Sequence, residues 1–208
     1  MQIQDVERFS RDELLNALKK TRLRGFGSPL IYAGATLELA SINTADLTPA
    51  QRYVLKPGVR QVLALREALL HHGIGLFALD GGAMIRTAEN PDERIPVIPP
   101  IVEESLEPDG RSVLLINDGL HRVYAARSRD LPINVVVVRN VPREYPYYAY
   151  ALPRGWAELV ELEELTEGYQ KKDYRQPDNY KALFRDFNGV FPGVQAQRKS
   201  SNPIHLRP

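Results

Sequence analysis

The chain of 208 residues has no cysteine. That excludes disulfides, thiolate metal sites and a cysteine nucleophile. It also has no excess of either charge: 27 Lys and Arg face 26 Asp and Glu, a formal net charge of +1. No global field therefore draws it to nucleic acid or to a membrane surface. No apolar run approaches the roughly 18 residues expected of a membrane span, and Met1 to Lys20 is too polar and acidic for a signal peptide. The expectation is a cytoplasmic protein with no membrane partner. Internal repeats and low-complexity stretches are missing too. What is present is 43% hydrophobic residues, enough for a packed core. The length fits one domain with a tail, or two small ones.

Ser10-Arg11-Asp12-Glu13 reads as a capping box ahead of Leu14, Leu15 and Leu18, so a short helix is predicted there. Thr36 to Ile42 is a strand candidate. Thr48-Pro49-Ala50-Gln51 carries a second helix-start signal, and Lys56-Pro57-Gly58 reads as its break. Val59 to His72 has helical spacing with Gly73 as C-cap. Ile74 to Leu79 predicts a strand, Asp80-Gly81-Gly82 a turn, and Glu89 to Arg94 a polar loop. Pro99-Pro100-Ile101-Val102 leads a strand, Ser112 to Asn117 is another, Leu120 to Ser128 a helix, and Ile133 to Val138 a β-branched strand. This order predicts a compact mixed α/β (α+β) domain with buried central strands. Residues 1–35 read as an N-terminal helical extension and 36–142 as the domain. Residues 143–208 read as a C-terminal segment packing on it, with Glu158 to Glu167 loosely helical and Asp178 to Gly189 an amphipathic helix. Gln195 to Pro208, polar and basic, is expected to be extended or to pack across the fold.

Asp118-Gly119-Leu120-His121-Arg122 is the stretch with chemical potential. It follows an apolar strand ending at Asn117 and opens a helix at once. A helix start offers unpaired N–H groups and the positive end of a dipole, which together favour an anion. Gly119 permits a positive φ or a close backbone approach. Arg122 can fork onto a phosphate, His121 can donate a hydrogen bond or shuttle a proton, and Asp118 can hold Mg²⁺ or orient its neighbours.

Asp118-Gly119-Leu120-His121-Arg122-Val123-Tyr124-Ala125-Ala126 resembles the D-G-x-H-R-x-x-A-A signature of the ParB/sulfiredoxin superfamily. Pro99-Pro100-Ile101-Val102 resembles its P-P-I-x-V strand, and Leu131-Pro132-Ile133 to Val138 its closing strand. The helix from Val59 to His72 resembles the one before the first P-I strand. The resemblance covers roughly residues 36 to 140. Its members include CTP-binding partition proteins, free-serine kinases, sulfiredoxins and nuclease-like domains. What it implies is a ParB/sulfiredoxin-like compact mixed sheet flanked by helices, with a nucleotide phosphate held by Asn117, Gly119, Leu120, His121 and Arg122. Mg²⁺ would lie at Asp118, with a nucleoside di- or triphosphate as cofactor.

The chain departs from that superfamily in places. Without cysteine, sulfiredoxin chemistry is excluded. Leu47 to Arg52, where the serine kinases place a glutamate base, contains no carboxylate. No helix-turn-helix pattern follows residue 142, so sequence-specific DNA binding is not expected. The catalytic candidates are then Asp118 and His121, with Glu103 and Glu104 after the Pro99-Pro100 strand as metal ligands or a general base. The expected function is a nucleotide-dependent phosphotransferase or NTPase acting with Mg²⁺ on a small molecule. The alternative is a non-catalytic nucleotide- or nucleic-acid-binding module. Asp80 to Gly82 and the tyrosines from Tyr145 to Tyr150 read mainly as a turn and as packing. Lys171 to Arg175 reads as basic, and Arg175, Lys181, Arg185, Arg198 and Lys199 could close a basic rim over phosphates, with a solvated basic face as the default.

Overall fold

The computed structural model describes residues 1–194, so the tail from 195 onward, with Arg198 and Lys199, lies outside the described residues. In chain order the elements are β1 (Ile3–Phe9), α1 (Arg11–Leu18), β2 (Arg22–Leu23), β3 (Thr36–Ile42), β4 (Leu47–Thr48) and β5 (Tyr53–Leu55). Then come α2 (Lys56–Leu70), β6 (Gly82–Thr87), β7 (Asn90–Val97), β8 (Ile101–Leu106), β9 (Ser112–Asp118) and α3 (Leu120–Arg127). The last are β10 (Ile133–Arg139), β11 (Val160–Leu162) and β12 (Arg185–Asp186). The fold is mixed α/β.

A five-stranded sheet in the order β3-β10-β8-β9-β4 forms the centre. β10 runs antiparallel to β3 and parallel to β8, while β8 and β9 are antiparallel. The run Val135-Val136-Val137-Val138 shows why its strands are apolar on both faces. Val135 and Val137 enter the core beneath α2 and α3, and Val136 and Val138 enter the core beneath α1 and the C-terminal segment. The capping box at Ser10 forms as expected: Ser10 Oγ accepts from Glu13 N–H and the Ser10 N–H donates to Glu13 Oε2 at 2.7 Å.

Several elements differ from the expectation, each for a physical reason. Residues 1–35 open with a strand, because β1 pairs along its length with β6. Glu89 to Arg94 is mostly strand rather than loop. β7 is an edge strand with charged side chains exposed, which is how edges resist further pairing, and Pro91 is tolerated there. Thr48 to Gln51 does not start a helix: Thr48 pairs with Leu115, and Pro49 O accepts from Leu152 N–H at 3.0 Å. The helix starts at Lys56, so Pro57 occupies its first turn instead of breaking it. Ile74 to Leu79 contains a 3₁₀ turn that buries Leu76 and Phe77 without a strand partner.

Glu158 to Glu167 holds a short strand, β11, parallel to β5. Asp178 to Gly189 is not a continuous helix: it contains a 3₁₀ turn at Tyr180–Leu183 followed by β12, which pairs with β2. Tyr180 and Phe184 pack with Tyr148 and Tyr174, while Phe187 packs on Tyr32, and Arg185 turns into the core.

Arg185, expected on a solvated rim, is inside. Its Nε and Nη2 donate to Glu103 Oε1 and Oε2 at 2.8 and 2.9 Å, and its side chain is 1% exposed. Removing one partner of a buried pair typically costs about 3–5 kcal/mol. Arg185→Met is therefore expected to lower the unfolding free energy by about that much in denaturant titration. Glu103→Gln added to Arg185→Met should recover much of the loss. An Arg185→Met protein as stable as the parent would deny the pair this role.

Candidate functional site

β9 delivers Asn117 and Asp118 to the edge of the helical layer, and α3 begins two residues later. Gly119 forms the junction with φ +84° and ψ +22°. A Cβ there would lie 2.9 Å from both Pro100 Cβ and Arg122 Nη2, so space and backbone conformation both demand glycine. The two separate motif segments thus touch: Pro100 packs on Gly119, and Ile101 pairs with Asp118 across the strands. Arg122 and Val123 N–H both bond Gly119 O, at 2.8 and 3.0 Å. Leu120 and His121, in the first helical turn, have no intrahelical acceptor for their N–H groups.

Arg122 is occupied within the fold. Its Nη2 donates to Asp118 Oδ2 at 2.9 Å, and its Nη1 donates to the Ile98 carbonyl. The pair is largely enclosed, with Arg122 16% and Asp118 10% exposed at the side chain. Burial pushes the guanidinium down to about 10, which leaves it charged at neutral pH. Arg122 thereby ties the turn to the segment before β8. Asp118 Oδ2 is committed to this pair. Among the described residues no group of three or more His, Asp or Glu is placed to hold a metal.

His121 lies against α2. Its ring fills the space where a Cβ on Gly58 would be, 2.7 Å from Nε2. Nε2 accepts from Leu55 N–H at 3.1 Å, so Nδ1 carries the proton of the neutral ring. Burial, with the charge of Lys171 nearby, lowers its pKa. Protonation would break the Leu55 bond, so this contact contributes stability above the ordinary histidine range and loses it as pH falls.

The glutamate candidates are separated by the strand's alternation. Glu103 points into the core under the C-terminal segment. There it accepts from Arg185 and from Tyr32 Oη. Glu104 is exposed on the opposite face. Asp118 pairs with Ile101, so Glu103 and Glu104 lie two and three strand positions away, about 7 and 10 Å at 3.3 Å per residue.

Behind the turn runs a buried polar chain. Asn117 Nδ2 donates to Tyr32 Oη at 3.4 Å, and Tyr147 Oη donates to the Asn117 carbonyl at 3.3 Å. Lys172 Nζ donates to Tyr147 and Tyr148 Oη at 2.7 and 2.5 Å. Asn117 Oδ1 is buried without a donor. Lys172 is buried with its ammonium over both tyrosine rings. Burial, helped by Lys171, holds it well below the usual lysine range. The sequence marked Lys171 to Arg175 only as basic. No periodicity or motif announced that Lys172 reaches Asn117 through Tyr147, nor that Gly58 seats His121.

A strand, a left-handed glycine and a helix carrying D-G-L-H-R, on a mixed sheet with the P-P-I strand alongside, define a ParB-like domain. The chain belongs to the ParB CE domain family, whose family model matches residues 13–160. No curated protein and no solved structure matches the chain significantly. Among the described residues no helix is long and apolar enough to cross a membrane.

Gly119→Ala is expected to destabilise the protein by about 1–3 kcal/mol, the usual cost of forcing a residue into such backbone. A thermal melt checks it, and an unchanged Tm would contradict the clash with Pro100. For Lys172 the sign is also defined. The unfolded chain binds this proton more readily than the folded one, so folding gains stability as pH rises toward the ordinary lysine pKa. Between pH about 7 and 9, below the lysine value of about 10.4, the native protein should gain stability relative to Lys172→Met. Parallel slopes for the two proteins would argue against the depressed pKa.

Proposed function

We propose that the chain binds a nucleoside di- or triphosphate, with a phosphate group on the N–H groups of Leu120 and His121. The observation that carries this reading is the αL Gly119 N-cap, which supplies no capping side chain and leaves the helix start open to an anion. His121 stays neutral and keeps an Nδ1 donor beside that position. Asn117 and Arg122 hold the turn's shape from behind rather than grip the ligand. Mg²⁺ fits as an ion carried by phosphate oxygens, with Asp118 as the protein's contribution, because Mg²⁺ in such sites keeps most of its shell from water and phosphate.

A phosphotransferase or NTPase acting on a small molecule is the catalytic form of this reading. Its acid–base groups would be Asp118, His121 and exposed Glu104. The enclosure of Glu103 favours the alternative, a nucleotide- or nucleic-acid-binding module without turnover, because it removes a carboxylate from supply. ATP, ADP and CTP, each with and without Mg²⁺, should separate these in a thermal-shift series. At least one nucleotide at 100 times its Kd should stabilise the protein by about 2.7 kcal/mol. Gly119→Ala should abolish that shift. No stabilisation of the folded protein by any nucleotide would overturn the proposal. Nucleotide hydrolysis lost in His121→Ala or Glu104→Ala would establish the catalytic form.

A further inference from the structure

The short strand β2 lies in the middle of a small ribbon. Arg22 pairs with Leu30 on one side and with Asp186 on the other. Directly paired residues share a face, so Leu30, Arg22 and Asp186 form a row across the ribbon. The neighbouring pair, Leu23 with Arg185, is buried, and the row therefore faces outward. With Lys20, Gly189 and Val190 it lines a groove of about 330 Å³. Leu30 and Val190 make that groove apolar, and Lys20 and Arg22 make it positive. Asp186 is its one acid, and an oxygen of that carboxylate accepts from Gly189 N–H at 3.1 Å.

The loop from β2 to Leu30 has an uncommon backbone. Phe26, Gly27 and Ser28 take φ of 55°, 75° and 56° in succession. Two of the three carry a Cβ, which crowds the following carbonyl in that conformation. Such backbone persists where its surroundings over-determine it. Here Arg24 N–H donates to Phe184 O at 3.0 Å, Gly25 N–H to Ala182 O at 2.9 Å and Ser28 N–H to Gly25 O at 2.9 Å. Arg22 Nη1 donates to Ser28 O at 2.7 Å. The outcome is an apolar ring held in water: Phe26 is 47% exposed, and Leu30 beside the groove is 42% exposed. Lys19, Lys20, Arg22 and Arg24 are exposed along the same stretch. Among the described residues none of the four has a carboxylate partner. A chain of net charge +1 thus gathers unpaired cations around its exposed apolar loop.

We propose that this ribbon and its loop dock an acidic peptide segment of a partner protein, one that carries apolar side chains among its carboxylates. Phe26, Leu30 and the groove take the apolar side chains. Lys20, Arg22 and their neighbours meet the carboxylates, and such complementarity selects the partner. Asp186 keeps an oxygen to accept a main-chain N–H of the peptide. A nucleic-acid strand fits this surface less well. A carboxylate in the groove repels a continuous line of phosphates, and leucine and valine offer no ring on which a base can stack. No residue of the Gly119 turn takes part, so this surface stands or falls apart from the phosphate reading.

Fluorescence anisotropy of the full chain with short labelled probes tests this. A peptide alternating leucine and glutamate should bind. One alternating leucine and lysine, one alternating serine and glutamate, and a single-stranded oligothymidine should each bind about tenfold more weakly or worse. Lys20→Gln combined with Arg22→Gln should weaken the leucine–glutamate peptide about tenfold, the scale of one charge-assisted hydrogen bond. Phe26→Gly should weaken it by a similar factor and leave Tm no lower than native, because glycine enters left-handed backbone freely. Should Phe26→Gly melt early, the two charge substitutions, both on exposed side chains, still decide. Equal binding of the leucine–lysine or serine–glutamate peptide would overturn the proposal, as would native-like affinity in the charge variant. Tighter binding of oligothymidine would make the surface one for nucleic acid instead. A lower Tm with unchanged peptide affinity in Phe26→Gly would reduce the loop to packing. A native protein that binds no probe would defeat the inference and leave the reading of the turn untouched.

Discussion

Arg185 spends every one of its five N–H donors inside the protein. Two bond Glu103, and the other three reach the carbonyls of Tyr145, Pro146 and Leu183. A guanidinium and a carboxylate can share a dry interior only when the remaining donors and lone pairs are also met. Tyr32 Oη supplies the further bond to Glu103. Around this pair the C-terminal segment is fastened to the central sheet, and its aromatic residues close over α1 and β3. From Tyr32 the same network passes through Asn117 and Tyr147 to Lys172. One buried network thus links the Glu103–Arg185 pair to Lys172 in the C-terminal segment.

The D-G-L-H-R stretch divides its labour in a way that charge alone would not suggest. Asp118 and Arg122 hold one another, and Arg122 also holds the Ile98 carbonyl. They fix the approach of β8 and the start of α3, with Pro100 seated on Gly119. His121 is held by Leu55 and Gly58 from the preceding helix. What the first turn of α3 leaves without an intrahelical partner is backbone: the N–H groups of Leu120 and His121. Behind the turn the C-terminal segment contributes Lys172, which reaches the Asn117 carbonyl through Tyr147 Oη.

The parts of the fold that could be read from the sequence were those set by local chemistry. The capping box at Ser10 and Glu13, the valine run of β10, and the glycine between an apolar strand and a helix each carry their own signal. So does the P-P-I segment, and its contact with Gly119 explains why the two motifs occur together. The errors fell where a segment's partner is remote. β7 is polar because it is an edge, and only its pairing with β6 reveals a strand. Asp178 to Gly189 has helical spacing, but the pairing of β12 with β2 and the burial of Arg185 break it. Pro57 carried the same propensity information at a helix start as at a helix end, and the pairing of Thr48 with Leu115 decided between them.

By itself the sequence determined the family, the mixed α/β class and the place of the strand–glycine–helix turn, since these depend on residue type, order and short-range geometry. Tertiary structure alone decided which charges remain available. Glu103 and Arg185, separated by 82 positions, neutralise each other in the core. Glu104, one residue away, stays in water because successive strand residues face opposite sides. Lys172 is linked to Asn117, through Tyr147, only because the chain returns past Arg52, whose N–H bonds Lys171 O. Charge in a protein acts through distance and burial, and neither can be counted along a chain.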